Sequence, residues 1–428
     1  MIYSTYRPTE YDWLGSIPSA WRWVYLSQSC NEQSIKNIGN AVSNVLSLSY
    51  GQIIKKKNID FGLSPKDYGT YQIVDSGNII MRLTDLQNDH KSLRTGLVKE
   101  RGIITSAYVC LKPFENSAFL QYLLHSYDTQ KYFYGLGGGV RQSIGYKDIK
   151  YMKVPFPPRE EQDQIVRYLD WKVSQINKLI SAKRRQIEVL QEQKRALVNS
   201  RLKGNKVWLK RLLSTPFQYG ANDSGVEYSA TLPRYIRITD ITNDGKLKTD
   251  GAKSLSNDVA KQYILTDGDI LLARSGATAG KSFLYKEEYG LCAFAGYLIK
   301  ARVIMQMIIP EYLIYVMNSS EYEQWKNSVF IQATIQNISA ERYSQLPVPV
   351  PTLPEQEEIV LYLNEQCEYI DKVSSKLNEE ITLLHEYRTR LISDVVTGKL
   401  DVRDVVVPEY EAVEDIVNNE PDIDDYNV

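Results

Sequence analysis

The sequence predicts a mixed α/β chain built from two tandem modules. Each module is followed by a long coiled-coil helix, and we expect the two helices to pair antiparallel, with the modules related by an approximate two-fold axis. Three observations lead to this fold class: an internal repeat, strand-like segments ahead of each repeated block, and a heptad seam within each block. The 428 residues are enough for two or three domains.

The internal repeat appears when the sequence is shifted by 194 residues against itself. Residues 141–204 then align without gaps on residues 335–398, and 19 of the 64 positions are identical. A period of this length is too long for a solenoid. It therefore indicates two copies of a whole module.

Each module begins with short strand-like segments that are separated by Gly, Asp and Asn. Residues 71–83 and 102–113 are such segments in the first copy, and residues 263–274 and 289–300 are their counterparts in the second. Short β-rich segments broken by turn residues are typical of a mixed α/β domain.

A long helix follows a proline cluster in each copy, because proline cannot continue a strand but can open a helix. Apolar residues then recur every three or four positions over about four heptads, which predicts a coiled-coil seam and a rod of about 60 Å. No Pro or Gly interrupts either helix before Gly204 and Gly398, which we interpret as C-caps. The predicted interface of the helix pair, and of any partner that docks on it, comprises Leu169, Ile176, Ile187, Leu190, Leu197, Leu363, Ile370, Ile381, Leu384 and Leu391.

A basic residue interrupts the seam at the same place in both helices, as Lys194 and Arg388. Two interpretations are open: a basic side chain that reaches solvent near a helix end, or a polar position that specifies register and partner.

The predicted domain boundaries follow from these elements. Residues 1–157 form the first module and residues 158–204 the central helix. Residues 205–351 form the second module and residues 352–403 the C-terminal helix that pairs with the first. Residues 404–428 form an acidic tail that we expect to be disordered.

The charge is unevenly distributed along the chain. The formal net charge is −1, yet residues 404–428 contain nine acidic and no basic residues, so the remainder carries +8. A basic body is compatible with a polyanionic partner, and equally with an ordinary solvated surface.

Several classes of protein are not expected from this sequence. No apolar segment approaches the roughly 18 residues of a membrane span, and the N-terminus lacks the pattern of a signal peptide, so we expect a cytoplasmic chain. The four cysteines are far apart and without zinc-site spacing, which predicts buried, reduced thiols. The three histidines form no catalytic or metal-binding pattern, so we expect neither a catalytic nor a metal site.

Residues 274–282, RSGATAGKS, imitate a nucleotide-binding loop. Gly276 and Gly280 are separated by three residues, whereas a phosphate-binding P-loop requires four. An ATP site that depends on Lys281 is one hypothesis. We favour a small-residue loop that approaches nucleic acid closely.

Polar and basic side chains in both modules are candidates for DNA contacts, because they can donate hydrogen bonds to phosphates or purine edges. For each of them a solvated surface position is the alternative, and for Gln142 and Gln336, which are repeat equivalents, the alternative is a buried amide that stabilises a turn. The candidates are Lys55, Lys56, Lys57, Arg82, Asn88, His90, Lys91, Arg94, Arg141, Gln142, Arg237, Arg274, Ser275, Thr278, Lys281, Gln332, Thr334 and Gln336.

The order of several motifs resembles the specificity (S) subunits of type I restriction–modification systems. The resemblance covers nearly the whole chain. It is carried by YDWLGSIPSAWRW at 11–23, the RLTDLQND and ERGIITSAY motifs within 82–108, GDILLARSGATAGKS at 268–282, the junctions VPFPPREEQ and VPVPTLPEQ, and TGKLDVRD at 397–404.

This resemblance implies a non-catalytic chain in which each module is a target-recognition domain for one half of a bipartite, asymmetric DNA target. The helices are then a ruler that sets the spacer and docks two methyltransferase subunits. Those subunits bind S-adenosylmethionine and methylate adenine at N6, while restriction/translocase subunits use ATP and Mg. This chain is expected to bind double-stranded DNA and to hold no cofactor.

Three alternatives remain open at this point. The chain could be the specificity subunit of a related system in which restriction and methylation are fused in one polypeptide. It could be a non-catalytic coiled-coil interaction protein, or an NTPase that uses residues 274–282.

Overall fold

The computed structural model describes residues 2–56, 67–86, 93–136, 143–242, 245–276, 279–331 and 337–413. The chain divides into two compact units. Unit 1 comprises Met1–Arg184 and Asn378–Val428, and unit 2 comprises Arg185–Leu377. Each unit therefore contains one module together with the first half of one long helix and the second half of the other.

Unit 1 is built on short antiparallel strands and one mid-length helix. Its described strands are β1 Tyr6–Pro8, β2 Ser16–Pro18, β3 Arg22–Tyr25, β4 Cys30–Gln33, β5 Ile35–Lys36, β6 Leu46–Ser49, β7 Gln52–Lys55, β8 Gln72–Val74, β9 Ile79–Met81, β10 Thr95–Leu97, β11 Gly102–Ile104, β12 Val109–Pro113 and β13 Lys153–Phe156. Its helices are α1 Ser117–Thr129, α2 Tyr146–Ile149 and the beginning of α3 Arg159–Arg201.

Unit 2 has a similar alternation of strands and short helices. Its described strands are β14 Asn205–Trp208, β15 Gln218–Tyr219, β16 Val226–Glu227, β17 Arg234–Ile236, β18 Lys253–Ser254, β19 Ile270–Ala273, β20 Ser282–Leu284, β21 Cys292–Phe294, β22 Leu298–Ala301 and β23 Pro347–Val350. Its helices are α4 Asn257–Ala260, α5 Pro310–Val316, α6 Ser320–Ile331, α7 Ala340–Ser344 and the beginning of α8 Leu353–Val396.

Each unit contains one sheet with the same strand order as in the other unit, and a second sheet that differs between the units. The sheet β10-β9-β12-β4 of unit 1 has the same strand order as β20-β19-β22-β15 of unit 2, and all neighbours are antiparallel. The pair β3–β13 likewise corresponds to β14–β23. The second sheet is β11-β8-β5 in unit 1, whereas in unit 2 it is β16-β18-β17-β21 with a parallel β17–β21 pair. The units therefore combine a common scaffold with unlike surroundings.

The long helices run antiparallel, as predicted, since partner numbers rise along α3 while they fall along α8. In unit 1, Arg388 Nη1 donates to Asn177 Oδ1 at 2.7 Å. In unit 2, Lys194 Nζ forms an ion pair with Asp371 at 2.7 Å. Because Lys194 and Arg388 each bond across the helix pair, the structure favours the register-specifying interpretation of these positions.

Six of the ten predicted seam residues are buried and four are half-buried. Two helices alone leave one side of their interface open to solvent. The buried members are Leu169, Ile176, Leu363, Ile370, Ile381 and Leu391, and the half-buried members are Ile187, Leu190, Leu197 and Leu384.

The predicted helix ends are corrected by the structure, because α3 ends at Arg201 and α8 at Val396. Gly398 is a C-cap: its φ is 76° and its N–H donates to Val395 O at 3.2 Å. Gly204 instead lies three residues beyond its helix, with a φ of 126°. A Cβ there would approach Pro351 N to 2.7 Å, so this glycine permits the close approach of β14 to β23.

The first part of the acidic tail, residues 404–413, differs from the expected disorder. Residues 404–413 lie extended along α3, where Ser174 Oγ accepts a hydrogen bond from Val413 N–H at 2.8 Å. Residues 414–428 lie outside the described residues.

Two expectations about chemical class can be compared with the structure. All four cysteines are buried free thiols, and burial raises the pKa of Cys30 and Cys110 to about 12. Among the described helices, none combines the length and the apolar character that a membrane crossing requires.

Candidate nucleic-acid interface

The candidate interface lies on the loops that leave the central strands of the shared sheets. In unit 1 the loop after β9 spans residues 82–94, and in unit 2 the loop after β19 spans residues 274–281. Both strands are fully buried. The polar loop residues therefore follow directly on a rigid core element, which suits a surface that must hold side chains in place.

An isoleucine at equivalent positions of the repeat fastens each of these loops. Ile144 N–H donates to Leu83 O at 2.9 Å in unit 1, and Ile338 N–H donates to Arg274 O at 2.7 Å in unit 2. Ser275 and Asn337 also form an isolated antiparallel β-bridge. The chain just before the proline cluster, where sequence analysis placed candidates in both copies, is thus brought against the candidate loop.

Two buried tyrosines support the loop of unit 2 from beneath. Tyr322 OH donates to Gly280 O at 2.6 Å, and Tyr343 OH donates to Ala273 O at 2.9 Å. Tyrosine hydroxyls are protonated at neutral pH, and burial raises the pKa of these two further. Trp325 stacks on Tyr322 with 5.6 Å between ring centroids. The loop therefore rests on an aromatic layer.

Arg274 is presented by this loop in a form suited to binding a polyanion. Its guanidinium lies over the Tyr219 ring, 5.0 Å from the centroid, and its side chain forms no hydrogen bond or ion pair with the described residues. Arg274 N–H donates to the carbonyl of Tyr297, whose side chain is 60% exposed. A planar guanidinium on an aromatic face can bind phosphate or a purine edge and can stack with a base.

Tyr219 and Tyr297 were missed by sequence reasoning. Tyrosine is abundant, with 31 copies in the chain, so identity alone did not mark these two. Their signal is exposure next to an arginine, which depends on the pairing of β15 with β22 and becomes visible only in the folded unit.

Arg94 has an internal role that corrects its assignment as a DNA contact. Arg94 is fully buried, and its guanidinium donates to Thr84 O at 2.8 Å and to Tyr134 OH at 2.9 Å. Its backbone N–H donates to Asp128 at 2.6 Å. Arg94 thus holds the base of the 82–94 loop from inside.

Arg237 is also engaged within the protein. Its guanidinium forms a bidentate ion pair with the buried Asp240, with distances of 2.9 and 2.7 Å, and donates to Gly251 O at 2.7 Å. The hydrogen bonds to Asp240 raise the pKa of Arg237. This arrangement fixes a turn. The Nε and Nη2 groups of Arg237 are occupied by Asp240, so this edge of the guanidinium is not available for a phosphate.

The remaining described candidates lie at or near the surface. Lys55 and Lys56 are exposed at the end of β7, and Lys55 Nζ is 3.5 Å from Glu100. Arg82, Ser275 and Lys281 are half-buried. The others, Lys57, Asn88, His90, Lys91, Arg141, Gln142, Thr278, Gln332, Thr334 and Gln336, lie outside the described residues and stay predictions.

The nucleotide-site hypothesis for residues 274–282 is wrong. A P-loop places phosphates at the N-terminus of a helix that follows the loop. Here the loop leads into β20, which pairs antiparallel with β19. Across the described parts of the chain, no group of three or more His, Cys, Asp or Glu side chains is placed to hold a metal ion.

Comparison with known proteins gives the family. The model of the type I restriction modification DNA specificity domain matches residues 99–189 and 222–383, which is more than half of the chain. The chain belongs to this family. Both matched segments of this specificity-domain protein include a strand of the shared sheet and part of a long helix.

Individual relatives are distant. The type I restriction enzyme StySPI specificity subunit of Salmonella potsdam is 26% identical over 164 residues, covering 37% of this chain and 34% of the relative. The EcoDI specificity subunit of Escherichia coli is 20% identical over 281 residues, covering 59% of this chain and 63% of the relative. The chain thus matches less than two thirds of the length of these relatives.

A solved structure supports the fold. It comes from a study of complex assembly and conformational transition in a type I restriction–modification system, and its TM-score is 0.67 at 16% identity. The match covers 90% of this specificity-domain protein and 99% of that chain. The predicted mixed α/β fold with two modules and two long helices is confirmed.

Proposed function

We propose that this chain is the DNA sequence-recognition subunit of a type I restriction–modification complex. One observation carries the proposal: each unit fastens the loop after its central strand to an equivalent isoleucine, while the loops themselves differ in length and sequence. A shared scaffold with unlike loops suits two readers of unlike half-sites. The target is therefore bipartite and asymmetric, with a spacer between its halves.

The long helices act as the ruler in this proposal. Their antiparallel pairing is supported within each unit by cross-helix bonds, from Arg388 to Asn177 and from Lys194 to Asp371. Side chains that reach the major groove supply base discrimination, and phosphate contacts supply a salt-dependent share of the affinity. A change in helix length would alter the spacer and leave the half-sites as they are.

The chemistry belongs to partners in this proposal. The chain docks two methyltransferase subunits, which bind S-adenosylmethionine and methylate adenine at N6, and through them restriction/translocase subunits that use ATP and Mg. The complex works on cytoplasmic double-stranded DNA. This chain contributes recognition and assembly without performing bond chemistry.

The test is genome-wide detection of modified adenine in the host with and without the gene for this chain. We expect a split motif on both strands to lose its N6-methyl mark on deletion. Replacement of residues 30–140 by those of another module should then change one half of the motif only. A change in both halves would contradict the modular assignment, and absence of any sequence-dependent DNA binding with the methyltransferase partner would favour a structural coiled-coil protein.

A further inference from the structure

The C-terminal strap, residues 404–413, is fastened to α3 in unit 1 by side chains of the helix. Near its start, Gln164 Nε2 donates to Val405 O at 2.7 Å. Near its end, Ser174 Oγ accepts from Val413 N–H at 2.8 Å. The strap thus follows α3 for about three turns in the direction of the helix.

Asn177 fastens the end of the strap to α3. Its Nδ2 donates to Val413 O at 3.1 Å while its Oδ1 accepts from Arg388. The repeat equivalent is Asp371, whose carboxylate pairs with Lys194. A carboxylate has no hydrogen to donate to a strap carbonyl, so the corresponding position of α8 lacks this function.

The equivalent face of α8, in unit 2, is open and partly apolar. Leu361 is 74% exposed and Tyr369 is 67% exposed, on a helix side that also carries Glu358, Glu365 and Glu368. Large apolar side chains this exposed on one stretch of a helix are typical of a surface that binds another protein. On α3, the positions equivalent to Glu358, Leu361 and Glu368 are Gln164, Arg167 and Ser174, which lie under or beside the strap.

The strap gives unit 1 the chemistry that α8 has by itself. Residues 353–371 contain six acidic and no basic residues, whereas the equivalent residues 159–177 contain four acidic and three basic ones. The strap adds three acidic and no basic residues, and its outward side chains include Val406, 86% exposed, and Tyr410, 39% exposed. Unit 1 thereby also presents acidic side chains around exposed apolar ones.

We propose that the strap completes a second docking surface for the same partner that binds the open face of α8. This rests on the proposed function, in which two copies of one methyltransferase subunit dock on the helices. Two identical subunits need two surfaces of similar chemistry, and each of these surfaces fits a basic patch with an apolar centre. The α8 face provides one surface directly, and the strap laid over α3 provides the other.

The experiment compares methyltransferase binding by the full chain and by a chain that ends at Arg403. Native mass spectrometry and sedimentation should give two methyltransferase subunits per full chain. The shortened chain should retain one, with the second bound about tenfold more weakly or worse. Conversely, Leu361→Lys should remove the partner at unit 2 and leave the one at the strap.

A second variant separates docking from folding. Glu409→Lys with Glu411→Lys reverses exposed charges while the strap keeps its backbone hydrogen bonds, and it should weaken one of the two binding steps. Glu287→Lys with Glu288→Lys, two exposed acids of unit 2 outside α3 and α8, is the charge-matched control and should bind two subunits normally.

The outcomes are distinct. If the shortened chain binds two subunits as tightly as the full chain, or more tightly, the strap is a cover or a bystander and the inference is wrong. If the full chain binds no methyltransferase at all, the proposed function itself fails.

Discussion

Replacement of Arg274 by alanine is expected to weaken DNA binding with little loss of folding stability. The guanidinium lies on the Tyr219 ring and forms no hydrogen bond or ion pair with the described residues. Its removal therefore leaves no internal acceptor unpaired. Among the described residues, the specific interaction that is lost is one cation–π contact, worth about 0.5–1 kcal/mol at a partly exposed site.

The expected loss in binding is larger. An arginine that reads a guanine with two hydrogen bonds contributes about 1–3 kcal/mol of discrimination, which is about 5- to 150-fold in affinity. If Arg274 instead contacts a phosphate, its removal should weaken binding to all sequences equally and lower the salt slope by about one. Arg274→Lys distinguishes these roles, because lysine keeps the charge but lacks the planar fork.

The assay is a binding titration of the complex with its methyltransferase partner, on a panel of duplexes mutated in each half-site and at several salt concentrations. Arg274→Ala should affect the half-site read by unit 2 and leave discrimination in the other half intact. Arg211→Ala, an exposed arginine outside the loop, is the control. Binding and discrimination of Arg274→Ala equal to those of the unaltered chain would refute the assignment of this loop to the interface.

Three further predictions concern the framework. Arg94→Ala should destabilise unit 1 by at least about 2 kcal/mol, because Thr84 O and Tyr134 OH lose charged donors; chemical denaturation measures this, and an unchanged midpoint would contradict the internal role. Leu363→Ala should lower the free energy of unfolding by about 2–5 kcal/mol, since this fully buried seam residue packs against Val198 and Cys367. The same change at the exposed Leu383 should have little effect in the same denaturation assay. Burial, and then the charge of Arg388, lower the pKa of His125 to about 4. Because the unfolded chain binds this proton more readily, stability should fall as pH drops from about 6.5 to 4, and His125→Gln should flatten that part of the thermal-unfolding profile.

The sequence was sufficient for features that depend on periodicity and repetition. The repeat predicted two modules, and β13 and β23, which lie within it, occupy equivalent places in the two units. The heptad spacing predicted two long helices that pair with each other, because a lone amphipathic rod must bury its seam. The matching positions of Lys194 and Arg388 left two interpretations open, and the structure favoured the one in which they bond across the helix pair.

The candidate interface was only partly predictable. Residue type identified Arg274 and Arg94 equally well as hydrogen-bond donors. Their different fates depend on distant parts of the chain: Arg94 meets Tyr134 and Asp128, whereas Arg274 meets Tyr219 and remains partly exposed. The residues that neighbour Arg94 and Arg274 in sequence do not predict such contacts.

By itself, the sequence determined the modular plan of this protein, since hydrophobic spacing and duplication are properties of the chain alone. The tertiary structure decided which polar groups form hydrogen bonds within the protein and which remain available to a partner. It also decided that the start of an acidic tail is a strap, because the side chains that fasten it, Gln164, Ser174 and Asn177, lie more than 230 residues away in sequence. Hydrogen-bond partners at that separation are set by packing, which no local pattern of residues specifies.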